Sequence, residues 1–332
     1  MTVQEQYRAV TEHAAVGAVS TRAPIGLTGS DRAGFLQGLL TNDVRALAPG
    51  AGCYAAWLTP QGRMLTDLAV FNLGDSIMVD VPAELAGATL KRLDASLFSE
   101  DVQVQDLSAT LAPVWVHGPA ASSAIERVAR GAAGLGGWAE YQHTRVEFDA
   151  SPVIVARVSQ LGVPGFCAWL DPAGVSGFAA ALHAAGAASA GRDAIEAARV
   201  EAGYPLFGID MTEDTIPLEA GIEARALSFT MGCYVGQEVI VRVLHRGQGR
   251  VARRLVGLRA DQDGASAGVR IVAGGRDAGW VTSAAHSPRI GPIAMGYVHR
   301  DFVPAGTRVE LDAPAGRVGA TVSGFPIAPA GQ

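Results

Sequence analysis

The sequence predicts an α+β protein in which two similar modules precede a small all-β barrel. Helical and strand-like segments alternate in the N-terminal part of the chain, and their order over the first hundred residues is repeated in the next hundred. Beyond residue 247 the pattern changes to short strands separated by turn signals every roughly ten residues. We therefore expect a first module over 1–110, a second module over 111–246 and a barrel over 247–325.

The first module is predicted from caps, turns and periodicity. Ser30 or Asp31 can cap a helix that carries closely spaced apolar residues, and a Pro60-Gln61-Gly62 turn joins two strands into a hairpin. The predicted strands pair mostly in antiparallel fashion. The segments expected here are strands at 18–27, 53–59, 63–72, 76–81 and 102–107, with helices following Asp31 and over 83–98.

The second module begins at Leu111 and shows a similar succession. Its last predicted helix, 191–202, ends at Gly203, because glycine commonly terminates a helix. The remaining predicted elements of this module are a helix near 120–130, an alanine-rich helix that runs to residue 190, and strands near 141–148, 153–158 and 166–170. The barrel strands are predicted at 251–259, 268–272, 279–284, 294–299, 308–312 and 318–323.

Composition excludes several classes of protein. The 332 residues are 49% hydrophobic, yet they contain no apolar run of membrane-spanning length and no evident targeting segment, so we expect a cytoplasmic protein without membrane contact. The three cysteines are far apart and the seven histidines are scattered, which argues against a resident metal site. The net charge of −6 argues against a surface that is coated by nucleic acid.

The segment Ser228–Glu238, which reads SFTMGCYVGQE, brings a thiol, a phenol, an amide and a carboxylate close together in the sequence. Gly232 and Gly236 flank Cys233, and glycines permit a tight bend or a close approach to a ligand. If a helix begins just after this bend, its N-terminal end would favour a reactive thiolate at Cys233. The alternative is that Cys233 is a small buried side chain, which is the commoner role of a lone cysteine.

Residues 231–238, MGCYVGQE, resemble the K-G-C-Y-x-G-Q-E signature of the YgfZ-type folate-binding proteins, which are implicated in iron-sulfur cluster assembly and repair. Arg242, Arg246 and Gly247 continue the family's R-x-x-x-R-G spacing, and Met231 stands where the family has lysine. The resemblance implies a helical segment around Arg242 and a partner-facing or redox-active Cys233. It also implies a functional signature loop consisting of Gly232, Cys233, Tyr234, Gly236, Gln237 and Glu238.

Asp67 is a candidate catalytic residue in the middle of the strand 63–72. Aspartate is disfavoured inside a strand, so its presence there suggests a function. The alternative is a solvent-exposed carboxylate, because one face of an antiparallel sheet is commonly solvated. The T-P-x-G sequence at 59–62 and the F-L-x-x-L-x-T-N-D-V sequence at 35–44 resemble the glycine-cleavage T-protein. In that family the corresponding aspartate is the catalytic carboxylate beside the reactive folate nitrogens. The second acid usual there is replaced by Thr66, so Asp67 would act electrostatically.

Glu201 is a candidate pterin-binding residue at the end of the helix 191–202. A stripe of alanines beside it leaves room for a flat ligand, and a carboxylate can accept two parallel hydrogen bonds from a pterin edge. The alternative is a surface glutamate or an ion pair. The sequence around it resembles the R-x-E-A-G, G-x-D-M and P-x-E-A-G series that both families share, in which the first glutamate holds the pterin.

Six arginines and no acidic residue lie between Val239 and Ala260. Arg242 and Arg246 could bind the glutamate tail of a folate, and the whole cluster could instead meet RNA or an acidic partner. The alternative is a solvated face without a ligand.

The resemblance extends over about residues 20–325. It implies two ferredoxin-like modules and a barrel in a ring-like arrangement, with folate between the modules. Our first hypothesis is a tetrahydrofolate-binding accessory protein whose partners are iron-sulfur client or assembly proteins. The second is an aminomethyltransferase that transfers a methylene group to tetrahydrofolate, which is the folate-dependent one-carbon transfer expected if the chain is an enzyme. The third is a tRNA-modification accessory protein that works with tRNA-modifying enzymes.

Overall fold

The computed structural model describes residues 1–245 and 250–329, with the side chain of His245 excluded. The first sheet has five antiparallel strands in the spatial order β3, β4, β5, β2, β6. The elements of this part of the chain, in sequence order, are α1 (Val3–Glu12), β1 (Ala15–Val16), β2 (Arg22–Thr28), α2 (Arg32–Leu39), β3 (Gly52–Leu58), β4 (Met64–Asn72), β5 (Ile77–Pro82), α3 (Ala86–Ser96) and β6 (Gln103–Asp106).

The second sheet has six strands in the order β11, β1, β7, β10, β9, β8, of which only the β11–β1 pair is parallel. The short strand β1 therefore belongs to this sheet, although it precedes the whole first sheet in the sequence. The elements of this part are β7 (Ala112–His117), α4 (Ala121–Val128), β8 (His143–Phe148), β9 (Ser151–Arg157), β10 (Gly165–Leu170), α5 (Val175–Ala184), β11 (Ala188–Ser189) and α6 (Arg192–Ala202).

Short helices and a closed six-stranded barrel complete the chain, and the barrel strands follow one another in the order β12, β15, β14, β13, β16, β17. The predicted α+β class and the predicted C-terminal barrel are confirmed. The elements are α7 (Pro217–Ala220), α8 (Glu223–Ala226), α9 (Gln237–His245), β12 (Arg253–Ala260), β13 (Arg270–Ala273), β14 (Arg276–Ser287), β15 (Gly291–His299), β16 (Arg308–Ala313) and β17 (Gly316–Ser323). No helix in the described part of the chain is long and apolar enough to cross a membrane.

The two sheets pack against each other through one apolar layer. It joins Phe71 and Met78 of the first sheet to Trp115, Cys167 and Trp169 of the second. Helices cover the opposite faces, with α2 and α3 on the first sheet and α4 and α5 on the second. Polar side chains that enter the layer between the sheets must find partners there, since water is excluded.

Helix α6 connects the second sheet to the barrel. It ends as predicted at Gly203, whose backbone is left-handed with φ of 72°. Arg199 near its C-terminal end is fully buried and donates to Asp210 at 2.7 Å and to Ser283 of β14 at 2.6 Å. Since Ser283 and Thr282 also donate to Asp210, these contacts fix the barrel to α6.

His117, at the end of β7, is a buried titratable group outside these contacts. Its Nε2 donates to the carbonyl oxygen of Gly17 at 3.0 Å, whereas its Nδ1 is buried without a partner among the described residues. Burial lowers the pKa of His117 from 6.5 to about 4, and the bond to Gly17 opposes this only partly. The imidazole is therefore neutral in the folded protein at neutral pH.

We expect replacement of His117 by glutamine to reduce the acid sensitivity of the fold. The unfolded state binds a proton at this position below pH 6.5 and the folded state only near pH 4, so stability is lost as the pH falls through that window. Between pH 7 and pH 4.5 the wild type should lose about 2 to 3 kcal/mol more unfolding free energy than the variant. Urea titrations at a series of pH values measure this difference. The exposed His13→Gln is the matched control, and equal losses in wild type and His117→Gln would contradict the assignment.

Candidate functional site

Asp67 lies in β4 at the layer between the two sheets and is only 1% exposed. Its Oδ2 accepts a hydrogen bond from the hydroxyl of Tyr54 at 2.7 Å, and its Oδ1 is 3.3 Å from Nη1 of Arg22. Tyr54 lies on the paired strand β3 and Arg22 on β2, which are on opposite sides of β4 in the sheet. The alternative interpretation of Asp67 as a wet surface carboxylate is therefore wrong.

Arg22 also binds a second buried carboxylate. Its Nε donates to Oδ2 of Asp80 at 2.8 Å, and its Nη2 donates to the Asp80 carbonyl at 2.5 Å. Burial raises the pKa of Asp80, although Arg22 acts against this rise. Neither Arg22 nor Asp80 was predicted from the sequence as a site residue. The available signal was a single charged side chain in each of two otherwise apolar strands, as in IMVDVP of β5.

Arg225, in α8, lies beside this group. Its guanidinium is 4.4 Å from the ring centroid of Tyr54 and 4.0 Å from that of Tyr204. Tyr141 stacks on Tyr54 with 6.5 Å between ring centroids. Burial opposes the charged form of Arg225, but the neighbouring tyrosines and Asp67 favour it more strongly, and the pKa of Arg225 is raised. We call Arg22, Tyr54, Asp67, Asp80, Tyr141, Tyr204 and Arg225 the Asp67 cluster.

The structure does not bring Glu201 to the Asp67 cluster. The Glu201 carboxylate accepts hydrogen bonds from Tyr7 of α1 at 2.9 Å, from Arg289 at 2.6 Å, and from Ser287. None of these partners bonds Asp67. Glu201 faces a cavity of about 540 Å³, whose lining includes Leu161 and no member of the Asp67 cluster. Its observed bonds tie α6 to α1 and to the barrel.

The side chains in and next to the signature loop differ in their exposure to solvent. Cys233 is exposed, whereas Met231 and Tyr234 are buried, and burial raises the pKa of Tyr234 to about 12. Met231 belongs to the same apolar cluster as Tyr54 and Met64, so an uncharged side chain suits this position. The alternative that Cys233 is a buried structural thiol is wrong.

The helix implied by the resemblance is present as α9, and it begins at Gln237. Cys233 precedes this first helical residue by four positions. Glu238 lies in the first turn, where a carboxylate complements the helix dipole. Gln237 is half-buried and Arg242 is exposed. Arg246 and Gly247 lie outside the described residues, so the predicted shared face of the two arginines stays a prediction.

Two glycines allow the signature loop to contact the β3–β4 hairpin. Gly236 has φ of 82°, and a Cβ there would collide with the carbonyl oxygen of Thr59. Gly62 in the hairpin turn has φ of 75°, and a Cβ there would meet Val239 at 3.0 Å. The loop that carries Cys233 is therefore held against the hairpin whose second strand carries Asp67.

The arginine-rich segment is partly engaged within the protein. Arg253 pairs with Glu219 at 3.3 Å, and Arg254 pairs with Glu223 at 2.7 Å. These bonds hold β12 to the short helices α7 and α8. Glu219 and Glu223 neutralise two of the six arginines between Val239 and Ala260. The arginine-rich segment is therefore weak evidence for an RNA-binding surface.

We expect Gly236→Ala to destabilise the protein and Gly232→Ala to have little effect. A side chain at Gly236 is strained by its positive φ and collides with the hairpin, whereas a Cβ at Gly232 meets nothing within 4 Å. The unfolding free energy of Gly236→Ala should fall by about 1 to 3 kcal/mol. Urea denaturation measures the loss, and hydrogen exchange of the loop locates it. Equal stability of the two variants would show that the hairpin contact is absent.

Comparison with known proteins gives matches over nearly the whole chain. The family model described as the GCVT N-terminal domain matches residues 1–228, and the glycine cleavage T-protein C-terminal barrel domain matches residues 253–327. The aminomethyltransferase of Rubrobacter xylanophilus is 32% identical over 298 residues, which cover 89% of this chain and 79% of that protein. The aminomethyltransferase of Streptomyces coelicolor is 31% identical over 312 residues, covering 92% and 83% respectively.

A solved structure agrees with these matches. The crystal structure of the glycine cleavage system aminomethyltransferase T from Bartonella henselae superposes with a TM-score of 0.86 at 25% identity. The superposition covers 98% of this chain and 89% of that chain. Both α+β parts and the barrel therefore have counterparts in one known protein.

Proposed function

Because this chain belongs to the glycine cleavage T-protein family, we propose that it binds tetrahydrofolate at the Asp67 cluster and transfers an aminomethyl-derived one-carbon unit to it. The observation that supports this most directly is the buried Asp67 carboxylate, which Tyr54 and Arg22 fix between the two sheets. The names of the relatives favour aminomethyl transfer over the accessory role that was our first hypothesis. The narrower YgfZ-type assignment rests on the signature loop and on the R-x-x-x-R-G spacing that follows it.

The polar groups around Asp67 suit a ligand that carries both hydrogen-bond donors and acceptors. Several buried polar atoms in and beside the layer between the sheets have no partner among the described residues, which is unusual in a folded protein. Two belong to the cluster, namely Nη2 of Arg225 and Oδ1 of Asp80, and two are the indole nitrogens of Trp115 and Trp169. A pterin ring offers both N–H donors and an acceptor oxygen to such groups, and aromatic side chains beside it offer stacking surfaces.

In the proposed reaction, Asp67 works electrostatically. Tetrahydrofolate supplies the nucleophilic nitrogens that accept the one-carbon unit. The Asp67 carboxylate can accept a hydrogen bond from an N–H group of the ligand. It can also stabilise positive charge that develops on the ligand beside the carboxylate. Tyr54 and Arg22 hold the carboxylate in place, so little reorganisation is needed when charge develops. Asp80 is bound to Arg22 and helps to fix the position of that guanidinium.

We expect Asp67→Asn to weaken tetrahydrofolate binding and to slow transfer. Loss of the charged acceptor should reduce the binding free energy by about 1 to 3 kcal/mol, which calorimetric titration measures. Ammonia release from an aminomethylated carrier protein in the presence of tetrahydrofolate reports turnover. Asp261→Asn, which removes an exposed carboxylate on the barrel, is the matched control. Unchanged titration curves in Asp67→Asn would contradict folate binding at this cluster.

A second function is favoured by one specific observation, the exposed Cys233 on a loop held against the hairpin. An exposed thiol on a fixed loop can meet a protein partner, whereas aminomethyl transfer requires no thiol. We therefore keep a tetrahydrofolate-binding accessory role toward iron-sulfur proteins as the alternative. The two functions share the folate site and differ in their need for Cys233.

Cys233→Ser is expected to separate the two functions. Because Cys233 is not part of the Asp67 cluster, tetrahydrofolate affinity should be unchanged within twofold under either function. If the chain is a transferase, ammonia release should also be unchanged. The accessory role instead predicts no ammonia release by the wild type, together with reduced activity of iron-sulfur enzymes in cells whose only copy is Cys233→Ser. Robust ammonia release by both proteins would exclude the accessory role as the main function.

A further inference from the structure

A cavity of about 520 Å³ lies at one end of the barrel and shares no lining residue with the Asp67 cluster. It is lined by Arg250, Val251, Arg254, Arg300, Asp301 and Val303. Three of these side chains are basic and one is acidic, although the chain as a whole carries a net charge of −6. A cavity of this volume accommodates a small molecule, and its charge favours an anion.

The pairing of β12 with β15 brings the arginines to this cavity. Arg254 of β12 lies opposite Val298 of β15, and the backbone N–H of Arg300 donates to the carbonyl oxygen of Ala252 at 3.0 Å. The start of β12 therefore lies beside the end of β15. Because both strands belong to the closed barrel, the backbone positions of Arg254 and Arg300 are fixed relative to each other before any ligand binds.

The neighbouring acids occupy only a few of the N–H donors of these arginines. Nη2 of Arg254 donates to Glu223 at 2.7 Å, and its other guanidinium nitrogens have no hydrogen-bond partner in the described parts of the chain. Nε of Arg300 is 4.0 Å from Oδ1 of Asp301, which is too long for a hydrogen bond. The Asp301 carboxylate lies closer to Arg276, at 3.6 Å. Donors of Arg254 and Arg300 are therefore available to an anion in the cavity.

The number of arginines distinguishes between the anions that could bind. A carboxylate has two oxygens, and a single arginine can bond both of them through parallel N–H groups. A phosphate group carries more charge and offers at least three acceptor oxygens, so several arginines can bond it at once. Three guanidinium groups around one cavity therefore suit a phosphate better than a carboxylate.

We propose that this cavity binds a phosphate-bearing small molecule through Arg250, Arg254 and Arg300. The site is separate from the proposed folate site and does not depend on it. The recognised chemistry is a diphosphate or triphosphate group, which free pyrophosphate and nucleoside triphosphates both present. Val251 and Val303 form an apolar wall, against which the remainder of a larger ligand can pack.

Calorimetric titration of the full chain with inorganic pyrophosphate, at about 50 mM salt, tests this proposal. The wild type should bind a single equivalent. The Arg300 side chain is 62% exposed, so Arg300→Gln should leave the fold intact and weaken pyrophosphate binding at least about tenfold. Arg250→Gln should have a similar effect. Arg317→Gln, which removes an exposed arginine elsewhere on the barrel, is the matched control and should keep the wild-type affinity.

Two further ligands identify the source of the phosphate and test the preference over carboxylates. ATP binding more tightly than pyrophosphate would indicate a nucleotide, whereas ATP affinity at or below that of pyrophosphate would indicate a free phosphate compound. Triglutamate should bind at least about tenfold more weakly than pyrophosphate, and a smaller difference would overturn the proposal.

Three other results would also overturn it. They are a wild type that does not bind pyrophosphate, equal pyrophosphate affinities in the wild type, Arg250→Gln and Arg300→Gln, and a loss of tetrahydrofolate affinity in these variants. The last result would show that the cavity belongs to the folate site. The first two would leave the proposed function intact, because tetrahydrofolate is titrated separately.

Discussion

The contact on which the candidate site depends is the bond of Arg22 to two carboxylates inside the first sheet. Arg22 on β2, Asp80 on β5 and Asp67 on β4 are brought together because these three strands are neighbours in the sheet. Removing one partner of such a buried group leaves an uncompensated charge, which costs about 3 to 5 kcal/mol. Arg22 therefore fixes the position of Asp67 before any ligand binds.

Tyr54 connects Asp67 to the other residues of the site. Its hydroxyl bonds Asp67, its ring stacks on Tyr141 and faces Arg225, and its side chain shares an apolar cluster with Met231 of the signature loop. One residue of β3 thus contacts the first sheet, the segment that precedes β8 and the short helices after α6. The acid, the unpaired cation and the loop that carries the thiol are held by one side chain at the meeting point of three parts of the chain.

Local sequence patterns predicted the elements better than the site. The helix that ends at Gly203, the hairpin around Gly62 and the six barrel strands follow from caps, turns and alternation, which are properties of neighbouring residues. Arg22 and Asp80 were missed because their contact depends on which distant strands pair, and no local periodicity encodes that pairing. The placement of β1 in the second sheet has the same origin, since it pairs with strands about 100 and 170 residues later.

The shared motifs around α6 have a structural explanation in this chain. Arg199 and Asp210 bond each other and β14, and Glu201 bonds Tyr7, Ser287 and Arg289, so the R-x-E-A-G and G-x-D-M segments hold the barrel to the second sheet. The motifs therefore identify the fold and do not separate a transferase from an accessory protein. The residue that can separate these functions is the exposed Cys233, because folate binding does not involve it under either proposal.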